Sequence, residues 1–544
     1  MILPRKTVLE IDAYSPPLEG RRGLVRLDFN ENTSSPEEIG AYPEYARFME
    51  ILSERLSLPK ERLILTNGTG EAISLIAFTF IEPGMDRALT SNPTFALIPH
   101  NLKLVGAKLT QVPSTEDWLF DIEKIEDELK RGVKLAFFAS PDNPIGALLT
   151  QKQVRDWCQR YPETLFAIDE AYAEYGGESS LPLAGLLPNL LVLRTFSKAW
   201  GMAGLRLGAI GGDQKLIDHL LKVRAPYSVN VEALRRACEL FAKSGKIHSD
   251  AKELLMRRPP LLAYLNERGF RTSAGGGNFF LIMAGADAAP LCNFLRQRKI
   301  LIRDQSSKAK MEGIVRVTVG TDEENRLFLK GIGDFRKSRA LIFDLDDTLV
   351  DTSKSYDETV TELVKRYSKT TLERTQLAEL RSRGGFNDDW DAAFELLRQR
   401  SIDVLRSLIE KEGKEIYLAL ARDREQLMFD ENIMKELAKR FRLFIFTGRP
   451  RDEYEPVWGE RLTPLFEKVY CKDDFAGICP KPAPNMLKAL LEKEKLAGGY
   501  YVGNSIDDVR CAKGAKIRSI CVNPSDEADL VIKTVNDLKG VFLL

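Results

Sequence analysis

The chain has 544 residues, and its 44% hydrophobic content is enough to build the cores of several domains. Its 79 lysines and arginines balance 79 aspartates and glutamates, which excludes the positive field expected of a protein that binds nucleic acid or an anionic membrane. The opening MILPRKTVLE lacks the apolar run of a signal peptide, and no stretch approaches the roughly 18 apolar residues of a membrane span. The seven cysteines form no CxxC pair and the three histidines lie far apart, so zinc-ligand spacing is absent. We therefore expect a cytosolic protein whose partners are small molecules.

The amino-terminal segment predicts a loop that faces a substrate, with Asn30 in it, followed by an amphipathic helix. The next segment, LILTNGTGEAISLIAFTF, is a short apolar run that enters a glycine-rich turn and then a helix pattern. Backbone N–H groups at the start of a helix bind anions, and glycines remove side chains that would block the approach. We interpret Gly68 and Thr69 as a phosphate cup, although a turn of purely structural purpose has the same pattern.

Two later apolar strands end in polar side chains. KLAFFASPDNPIGALLT places Asn143 in a turn after its strand, and TLFAIDEAYAEY places Asp169 at a strand end with Tyr172 three residues later. A side-chain amide can donate to a phenolate oxygen. A carboxylate that faces a pyridine nitrogen keeps it protonated, which makes the ring an electron sink. An aspartate at a strand end is also common in α/β proteins for structural reasons.

The segment TFSKAWGMAGLRLG follows the apolar run NLLVL and delivers Lys198 into a loop of small residues. In a site that holds little water, the charged ammonium form of a lysine is disfavoured. The neutral amine can then attack a carbonyl and form a Schiff base. Ser197 and Arg206 are donors suited to a phosphate beside it. The alternative is a surface lysine in an ordinary loop.

Taken in order, seven segments resemble the histidinol-phosphate aminotransferases, which have the aspartate-aminotransferase fold: GTGEA, SPDNPIG, DEAYAEY, RTFSKAWGMAGLRLG, KVRAPYSVN, LIRDQ and VRVTVGT. The resemblance covers about residues 1 to 336 and implies pyridoxal 5'-phosphate as the cofactor, bound to Lys198. It implies that Asp169 pairs with the pyridine nitrogen, and that Asn143 and Tyr172 hold the phenolic oxygen. The residues implied to hold the cofactor phosphate are Ser197, Arg206, Gly68 and Thr69.

The resemblance also implies partners and substrate contacts. Tyr42 is similar to a tyrosine that reaches the cofactor phosphate of the neighbouring subunit, which implies a homodimer. Arg316 would clamp a substrate carboxylate and Arg303 a second anionic group. The sequence departs from the family pattern at Phe95, where a tyrosine usually stacks on the cofactor ring, and at Thr69, where Ala-Asp or Ser-Asp is usual for this residue and the next. Both positions lie near the incoming ligand, so they bear on substrate choice.

Another apolar strand, this one ending in two acidic residues, is predicted after residue 338. The segment ALIFDLDDTLVDT is an apolar strand that ends in Asp344 and Asp346, whose side chains alternate onto the same side of the backbone. Two acids so placed repel each other unless a cation lies between them. Magnesium suits the site because it prefers oxygen ligands and binds carboxylates together with phosphate.

Three further segments supply Thr447 (RLFIFTGRP), Lys481 (CPKPAPNML), and Asn504 and Asp508 (GYYVGNSIDDVRCAKGA). With DLDDT they resemble the haloacid-dehalogenase-like phosphatases, over about residues 339 to 544. The resemblance implies that Asp344 attacks phosphorus, and that Asp346 protonates the leaving oxygen and then activates water. Thr447 and Lys481 would stabilise the phosphoryl charge.

The magnesium ligands implied are Asp344, Asp346, Asn504 and Asp508. The family motif usually has an aspartate where this sequence has Asn504, an amide that binds magnesium more weakly. The adjacent acid Asp507 could compensate.

We therefore predict an α/β chain with two parts. Residues 1–338 would form an aminotransferase with a large α/β domain and a small α+β domain, and residues 339–544 a Rossmann-like phosphatase with a helical cap at about 352–430. The first part would convert imidazole-acetol phosphate and glutamate to histidinol phosphate, and the second would remove its phosphate. One alternative assigns the pair another phosphorylated amino compound. Another makes the second part a regulatory module without catalysis.

Overall fold

The computed structural model describes residues 2–242, 247–382, 389–475, 477–479 and 481–544. These residues form two compact units. The first unit comprises Met1–Ala263, Thr272–Ile282 and Leu301–Arg326, and the second comprises Tyr264–Arg271, Met283–Ile300 and Leu327–Leu544. A helix ends at Lys337 and a strand begins at Arg339, while the domain boundary at 338 stays a prediction. In the stretches described, no helix combines the length and apolarity needed to cross a bilayer.

The first unit is built on a seven-stranded sheet. Its strands are β1 (Leu63–Thr66), β2 (Arg87–Asn92), β3 (Lys108–Pro113), β4 (Leu135–Ala139), β5 (Leu165–Asp169), β6 (Leu190–Thr195) and β7 (Gly208–Gly212). Their order is β1-β7-β6-β5-β4-β2-β3, and only β7 runs antiparallel to its neighbours. Because β4, β5 and β6 are parallel, the residues that follow them emerge at one edge of the sheet.

Helices precede, connect and follow these strands along the chain, up to the start of the second unit's own sheet. They are α1 (Lys6–Leu9), α2 (Glu37–Gly40), α3 (Ala46–Leu56), α4 (Gly68–Phe80), α5 (Leu97–Leu104), α6 (Ile122–Lys130), α7 (Gln151–Arg160), α8 (Gln214–Val223), α9 (Val231–Ala242), α10 (Ile247–Met256), α11 (Arg258–Glu267), α12 (Ala288–Gln297) and α13 (Asp322–Lys337). Side chains of Asp121, Thr150 and Asp213 cap α6, α7 and α8 by accepting backbone N–H bonds. Ile73 and Ile76 of α4 share one buried core cluster with strand residues such as Phe137.

A smaller sheet has the order β10-β11-β9-β8. Its strands are β8 (Arg271–Ser273), β9 (Phe279–Met283), β10 (Arg303–Asp304) and β11 (Ile314–Thr318). In the antiparallel pair of β10 and β11, Arg303 lies directly opposite Arg316. This register brings the two arginines predicted to bind anions together.

The second unit has a six-stranded sheet with the order β16-β15-β12-β17-β18-β19, and all of its pairings are parallel. These strands are β12 (Arg339–Phe343), β15 (Arg442–Phe446), β16 (Lys468–Tyr470), β17 (Gly498–Gly503), β18 (Arg518–Cys521) and β19 (Leu530–Val531). The helices that accompany them are α18 (Glu431–Arg440), α19 (Arg451–Tyr454), α20 (Glu460–Leu462), α21 (Asn485–Lys493), α22 (Ile506–Gly514) and α23 (Leu538–Val541). Side chains alternate between two buried clusters, as with Leu341 and Ile342, so the sheet is covered on both faces. The predicted α/β class is confirmed in both units.

Within the described residues, four helices lie between two short strands of this second unit. The strands β13 (Val350–Asp351) and β14 (Gln426–Leu427) pair antiparallel and enclose α14 (Ser355–Ser368), α15 (Arg374–Ser382), α16 (Asp389–Arg398) and α17 (Arg406–Arg424). The helices share their own buried cluster, which includes Leu363, Trp390 and Tyr417. We refer to α14–α17 as the helical insert; its action as a cap stays a prediction.

The carboxyl end of α18 contributes a charged residue to the core of the second unit. Arg440 is 2% exposed and donates to the carbonyl oxygens of Ala284 and Phe542, the second at 2.6 Å. Burial lowers the pKa of Arg440 to about 10. The fully buried carboxylate of Asp287 nearby accepts from Arg339 at 2.7 Å and from the Tyr500 hydroxyl at 2.9 Å. Residues 283–300 are therefore held by polar bonds as well as by apolar packing.

Candidate active sites

The first candidate site lies where β4, β5 and β6 end. The Nζ of Lys198, in the loop after β6, is 5.4 Å from the ring centre of Tyr172, which follows β5. Lys198 is exposed, which differs from the expectation of a lysine shielded from water. The loop that carries it is also open at Gly201 and Gly204, where an added Cβ would meet nothing within 4 Å.

Asp169 is the last residue of β5 and is 2% exposed. Burial raises the pKa of Asp169 to about 7, an effect that the charge of nearby Lys198 opposes. One carboxylate oxygen accepts from the backbone N–H of Ala171 at 3.1 Å. No salt bridge reaches this carboxylate in the described part of the chain. Such a carboxyl group fits a cationic N–H donor of a ligand ring.

Asn143, Tyr172 and Arg316 form a connected set of polar bonds. The amide of Asn143 donates to the Tyr172 hydroxyl at 3.4 Å, and Arg316 donates to the amide oxygen of Asn143. The rings of Tyr172 and Phe279 pack nearly perpendicular to each other with their centres 5.4 Å apart, which restrains the phenol. Three of the predicted site residues therefore meet within one network.

The predicted phosphate cup lies at the start of α4. A Cβ added at Gly68 would come within 2.9 Å of a guanidinium nitrogen of Arg206, so this cation reaches the first residue of the helix. A Cβ added at Gly208 would lie 2.8 Å from the carbonyl carbon of Gly68 and 3.0 Å from the backbone nitrogen of Thr69. Free N–H groups of a helix start beside a guanidinium bind phosphate. Ser197 lies in the adjacent loop, where its backbone N–H bonds the Thr195 hydroxyl at 3.2 Å.

The structure places three other predicted residues as follows. Phe95 is half-buried against the core of the large sheet. Tyr42 stacks on Tyr227 with ring centres 4.3 Å apart, and Asn30 adopts a left-handed backbone conformation. Among the described residues, no hydrogen bond joins Tyr42 or Asn30 to the network of Asn143 and Tyr172.

Two residues of this region were missed by sequence reasoning. Asp142 is fully buried, and its carboxylate accepts hydroxyl bonds from Ser91 and Thr94, both at 2.9 Å. Asp142 thereby positions the turn that carries Asn143. The Nζ of Lys308 donates to the Thr94 carbonyl oxygen at 3.1 Å. Asp142 lies within the segment SPDNPIG and Lys308 three residues after LIRDQ, but neither pattern reveals a contact between the two segments.

The second candidate site lies where β12, β15 and β17 end. The Nζ of Lys481 is 2.5 Å from Asp344 and 2.8 Å from Asp508. Burial raises the pKa of Asp344 to about 7, against the opposing charge of Lys481. Burial alone would lower the pKa of Lys481, but the two carboxylates outweigh it and raise that pKa well above its ordinary value. Three predicted residues are thus joined in one buried cluster.

Asp508 is held in place by the first turn of α22. Its second carboxylate oxygen accepts from the Ser505 hydroxyl at 2.7 Å and from the Ser505 backbone N–H at 3.1 Å, in a capping box. The Tyr501 hydroxyl adds a bond to the first oxygen at 3.3 Å. The carboxylate therefore has a fixed direction.

Arg449 is a buried residue of this site that sequence reasoning missed. It donates through Nε to Asp346 at 2.6 Å and through another nitrogen to Glu425 at 3.0 Å, and it is 2% exposed. Its backbone N–H donates at 3.0 Å to the hydroxyl of Thr447, which is also buried. Arg449 thus links Asp346 to the carboxyl end of the helical insert. The sequence signal for Arg449 was its position in the segment TGRP, two residues after the predicted site residue Thr447.

The predicted magnesium ligands have other partners in this structure. Asp344 and Asp508 share Lys481, and Asp346 pairs with Arg449 at 2.5 Å. Within the described residues, no group of three or more His, Cys, Asp or Glu side chains is arranged to hold a metal ion. The donor set of three carboxylates and the Asn504 amide suits magnesium if a substrate phosphate supplies further oxygens. The magnesium site stays a prediction.

Comparison with known families divides the chain in two. The model of the family "Aminotransferase class I and II" matches residues 41–332, and that of "Haloacid dehalogenase-like hydrolase" matches residues 341–522. The histidinol-phosphate aminotransferase of Roseiflexus castenholzii is 34% identical over 336 residues, which cover 60% of this chain and 89% of that protein. That of Symbiobacterium thermophilum is 33% identical over 355 residues, which cover 60% and 97%.

A solved structure supports the fold of the first part. The histidinol-phosphate aminotransferase of Sinorhizobium meliloti, crystallised with pyridoxal-5'-phosphate, superposes with a TM-score of 0.50 at 21% identity. The match covers 54% of this chain and 82% of that one. Together with the family matches, it confirms the predicted fold of both parts.

Proposed function

Because the chain belongs to the class I and II aminotransferases and carries a haloacid dehalogenase-like hydrolase domain in its carboxy-terminal region, we propose that it catalyses two consecutive reactions. The first transfers an amino group from glutamate to imidazole-acetol phosphate and gives histidinol phosphate. The second hydrolyses histidinol phosphate to histidinol and inorganic phosphate. The relatives in Roseiflexus and Symbiobacterium support the first substrate.

The observation that carries the first activity is the meeting of Lys198, Asp169, Asn143 and Tyr172 at one sheet edge. These residues fit pyridoxal phosphate, because a buried carboxyl, an amide and a phenol match its ring nitrogen and its phenolic oxygen. When bound, the cofactor supplies an electron sink for charge that develops on the substrate. The amine of Lys198 would attach the cofactor and move the proton at the substrate Cα.

Groups that would bind the cofactor phosphate and the substrate lie around these residues. Arg206 and the N–H groups of Gly68 and Thr69 would hold the cofactor phosphate at the start of α4. Arg316 would bind a substrate carboxylate, with its guanidinium oriented by the Asn143 amide oxygen. This bond couples the position of the substrate to the residue that holds the phenolic oxygen.

The second activity rests on the cluster around Lys481. An oxygen of Asp344 would attack phosphorus, which breaks the bond between phosphorus and the alcohol oxygen. Asp346 would protonate that oxygen, then take a proton from the water that releases phosphate. Lys481 and Thr447 would stabilise the negative charge on the transferring group. Asp344, Asp346, Asn504 and Asp508 would hold magnesium, which adds positive charge beside the phosphoryl oxygens.

A homodimer is also part of the proposal. The amino-terminal segment exposes Leu24, Val25 and Leu27 by 64%, 89% and 84%, close in sequence to the exposed ring of Tyr42. A second copy of the chain would cover these side chains and bring Tyr42 to a cofactor phosphate. Light scattering of the purified protein measures this mass directly.

Two variants test the proposal, and each serves as the control of the other. Lys198→Ala should abolish transamination and the visible absorption of bound cofactor, and should leave phosphate release from histidinol phosphate unchanged. Asp344→Asn should abolish phosphate release, because an amide cannot accept the phosphoryl group, and should leave transamination near the wild-type rate. Normal transamination by the Lys198 variant, or normal phosphate release by the Asp344 variant, would remove that residue from the proposed mechanism.

A further inference from the structure

Asp346, the proton donor of the proposed hydrolysis, is bound by the guanidinium of Arg449. Two of its nitrogens, Nε and Nη2, lie 2.6 and 2.5 Å from the same carboxylate oxygen of Asp346. The Asp346 side chain is 32% exposed, whereas that of Arg449 is 1% exposed. A carboxylate that reaches solvent has several rotamers open to it, so the buried guanidinium restricts its direction.

Glu425 fixes the other side of the same guanidinium. Its two oxygens accept from Nη2 of Arg449 at 3.0 Å and from Nη1 at 3.2 Å. Three further donors hold Glu425: the Trp458 indole N–H at 2.6 Å, the Ser355 hydroxyl at 2.7 Å and the Tyr417 hydroxyl at 3.1 Å. Because this buried carboxylate accepts so many bonds, it is a rigid anchor for Arg449.

Two stacked tyrosines of the helical insert lie beside the Arg449 guanidinium. The ring centres of Tyr356 in α14 and Tyr417 in α17 are 4.5 Å apart, and the guanidinium carbon is 5.3 and 5.5 Å from them. Aromatic rings at this distance attract a cation. The backbone N–H of Arg449 bonds the Thr447 hydroxyl at 3.0 Å, in the loop after β15. The insert and this loop therefore hold the guanidinium together.

The chemistry proposed for Asp346 depends on its direction. Asp346 would give its proton to the alcohol oxygen as the bond between that oxygen and phosphorus breaks, while an oxygen of Asp344 bonds to phosphorus. The carboxylate that remains on Asp346 then faces the Arg449 cation, which loses no proton of its own. Proton transfer requires a short and well-aligned hydrogen bond, so a freely rotating carboxyl group would transfer the proton slowly.

We propose that Arg449, anchored by Glu425, is the positioning residue for the proton donor Asp346. The inference rests on the proposed hydrolysis of a phosphate monoester and adds to it two residues outside the predicted site. A leaving group that is stable as an anion, such as p-nitrophenolate, needs no proton, whereas an alkyl alcohol does. Loss of Arg449 should therefore slow the hydrolysis of alkyl phosphates more than that of p-nitrophenyl phosphate.

The experiment compares two full-length variants with the wild-type protein. Arg449→Lys keeps the charge but lacks the planar fork that bonds both carboxylates. A double variant, Arg449→Met with Glu425→Gln, removes the cation and its buried anion together, so that Glu425 is not left as an unpaired buried charge. We compare kcat/KM for p-nitrophenyl, phenyl and ethyl phosphate, because this quantity reports the barrier from free enzyme and ester to phosphoryl transfer.

Both variants should lower kcat/KM for ethyl phosphate by at least about tenfold and for p-nitrophenyl phosphate by less than about threefold, with phenyl phosphate between them. Arg451→Met is the matched control, because Arg451 lies two residues further along and pairs with Asp474 at 2.6 Å. It should leave the ratios between the three esters as in the wild type. An equal loss for all three esters in the Arg449 variants, or no loss, would show that Arg449 only supports the fold and would overturn the inference.

A further ester keeps this inference separate from the choice of substrate. Histidinol phosphate is itself an alkyl phosphate, so its hydrolysis should fall in the Arg449 variants as that of ethyl phosphate does. If the wild-type protein rejected histidinol phosphate but hydrolysed the other esters, the proposed substrate would be wrong, and the comparison of the three esters would still test Arg449. A wild-type protein inactive on all four esters would overturn both the proposed hydrolysis and the inference.

Discussion

At the scale of single residues, burial sets the protonation of several carboxyl groups. Asp142 is fully enclosed, and burial raises its pKa to about 7 although two hydroxyl groups donate to it. In the unfolded chain the same group titrates near pH 3.9. The folded state therefore binds more protons than the unfolded state between these values. Asp142 therefore contributes fully to the free energy of unfolding below about pH 4, and this contribution is lost as the pH rises through about 7.

Asp142→Asn should remove this pH dependence, because an amide of the same shape carries no charge. We expect the melting temperature of the variant, relative to wild type, to rise by several degrees between about pH 5 and pH 8. Thermal unfolding of both holoenzymes across that range is the measurement. A constant difference between them would show that Asp142 is ionised in the folded protein throughout.

Lys198 shows a limit of reasoning from single residues. Its position after an apolar strand predicted the loop correctly, but its exposure does not match the expected dry site. Apolar neighbours in sequence point into the sheet core and away from the loop, so they do not shield the residues that follow.

At the scale of elements, the close approach of β7 to the start of α4 shapes the phosphate cup. A Cβ at Gly208 would overlap the backbone of Gly68 and Thr69, whereas a Cβ at Gly204 would meet nothing within 4 Å. Gly208→Ala should push the two elements apart and cost about 1–3 kcal/mol of stability. It should also weaken binding of pyridoxal phosphate at least tenfold.

Absorbance titration of the apoenzyme with pyridoxal phosphate measures this effect, and Gly204→Ala is the matched control. Equal affinity in the two variants would mean that the contact between β7 and α4 is not needed for the cup.

Among the elements, the strands that carry site residues could be predicted from the sequence. The apolar strand that ends in Asp169, and those that precede Asn143, Asp344 and Thr447, could be recognised in the sequence. Within each sheet, parallel strands bring their carboxyl ends to one edge. Bonds between distant segments were not readable. Arg449 and Asp346 are 103 residues apart, and Lys308 and Thr94 are 214 apart. Such pairs depend on how loops return over the sheet edge, which local patterns do not encode.

At the scale of the whole molecule, the chain joins an aminotransferase to a hydrolase domain. The product that we propose for the first has the phosphate ester that the second would cleave. Each activity uses residues of its own compact unit, since Lys198 lies in the first and Asp344 in the second. The account therefore predicts two separable activities and requires no shared catalytic residue.

The most direct test incubates the wild-type protein with imidazole-acetol phosphate, glutamate and magnesium and follows the products over time. We predict transient histidinol phosphate, then histidinol and inorganic phosphate in equal amounts, with one 2-oxoglutarate for each. Asp344→Asn should stop the same mixture at histidinol phosphate. If the wild-type protein accumulated histidinol phosphate without releasing its phosphate, while it hydrolysed a different phosphate ester readily, the claim of two consecutive reactions would be contradicted.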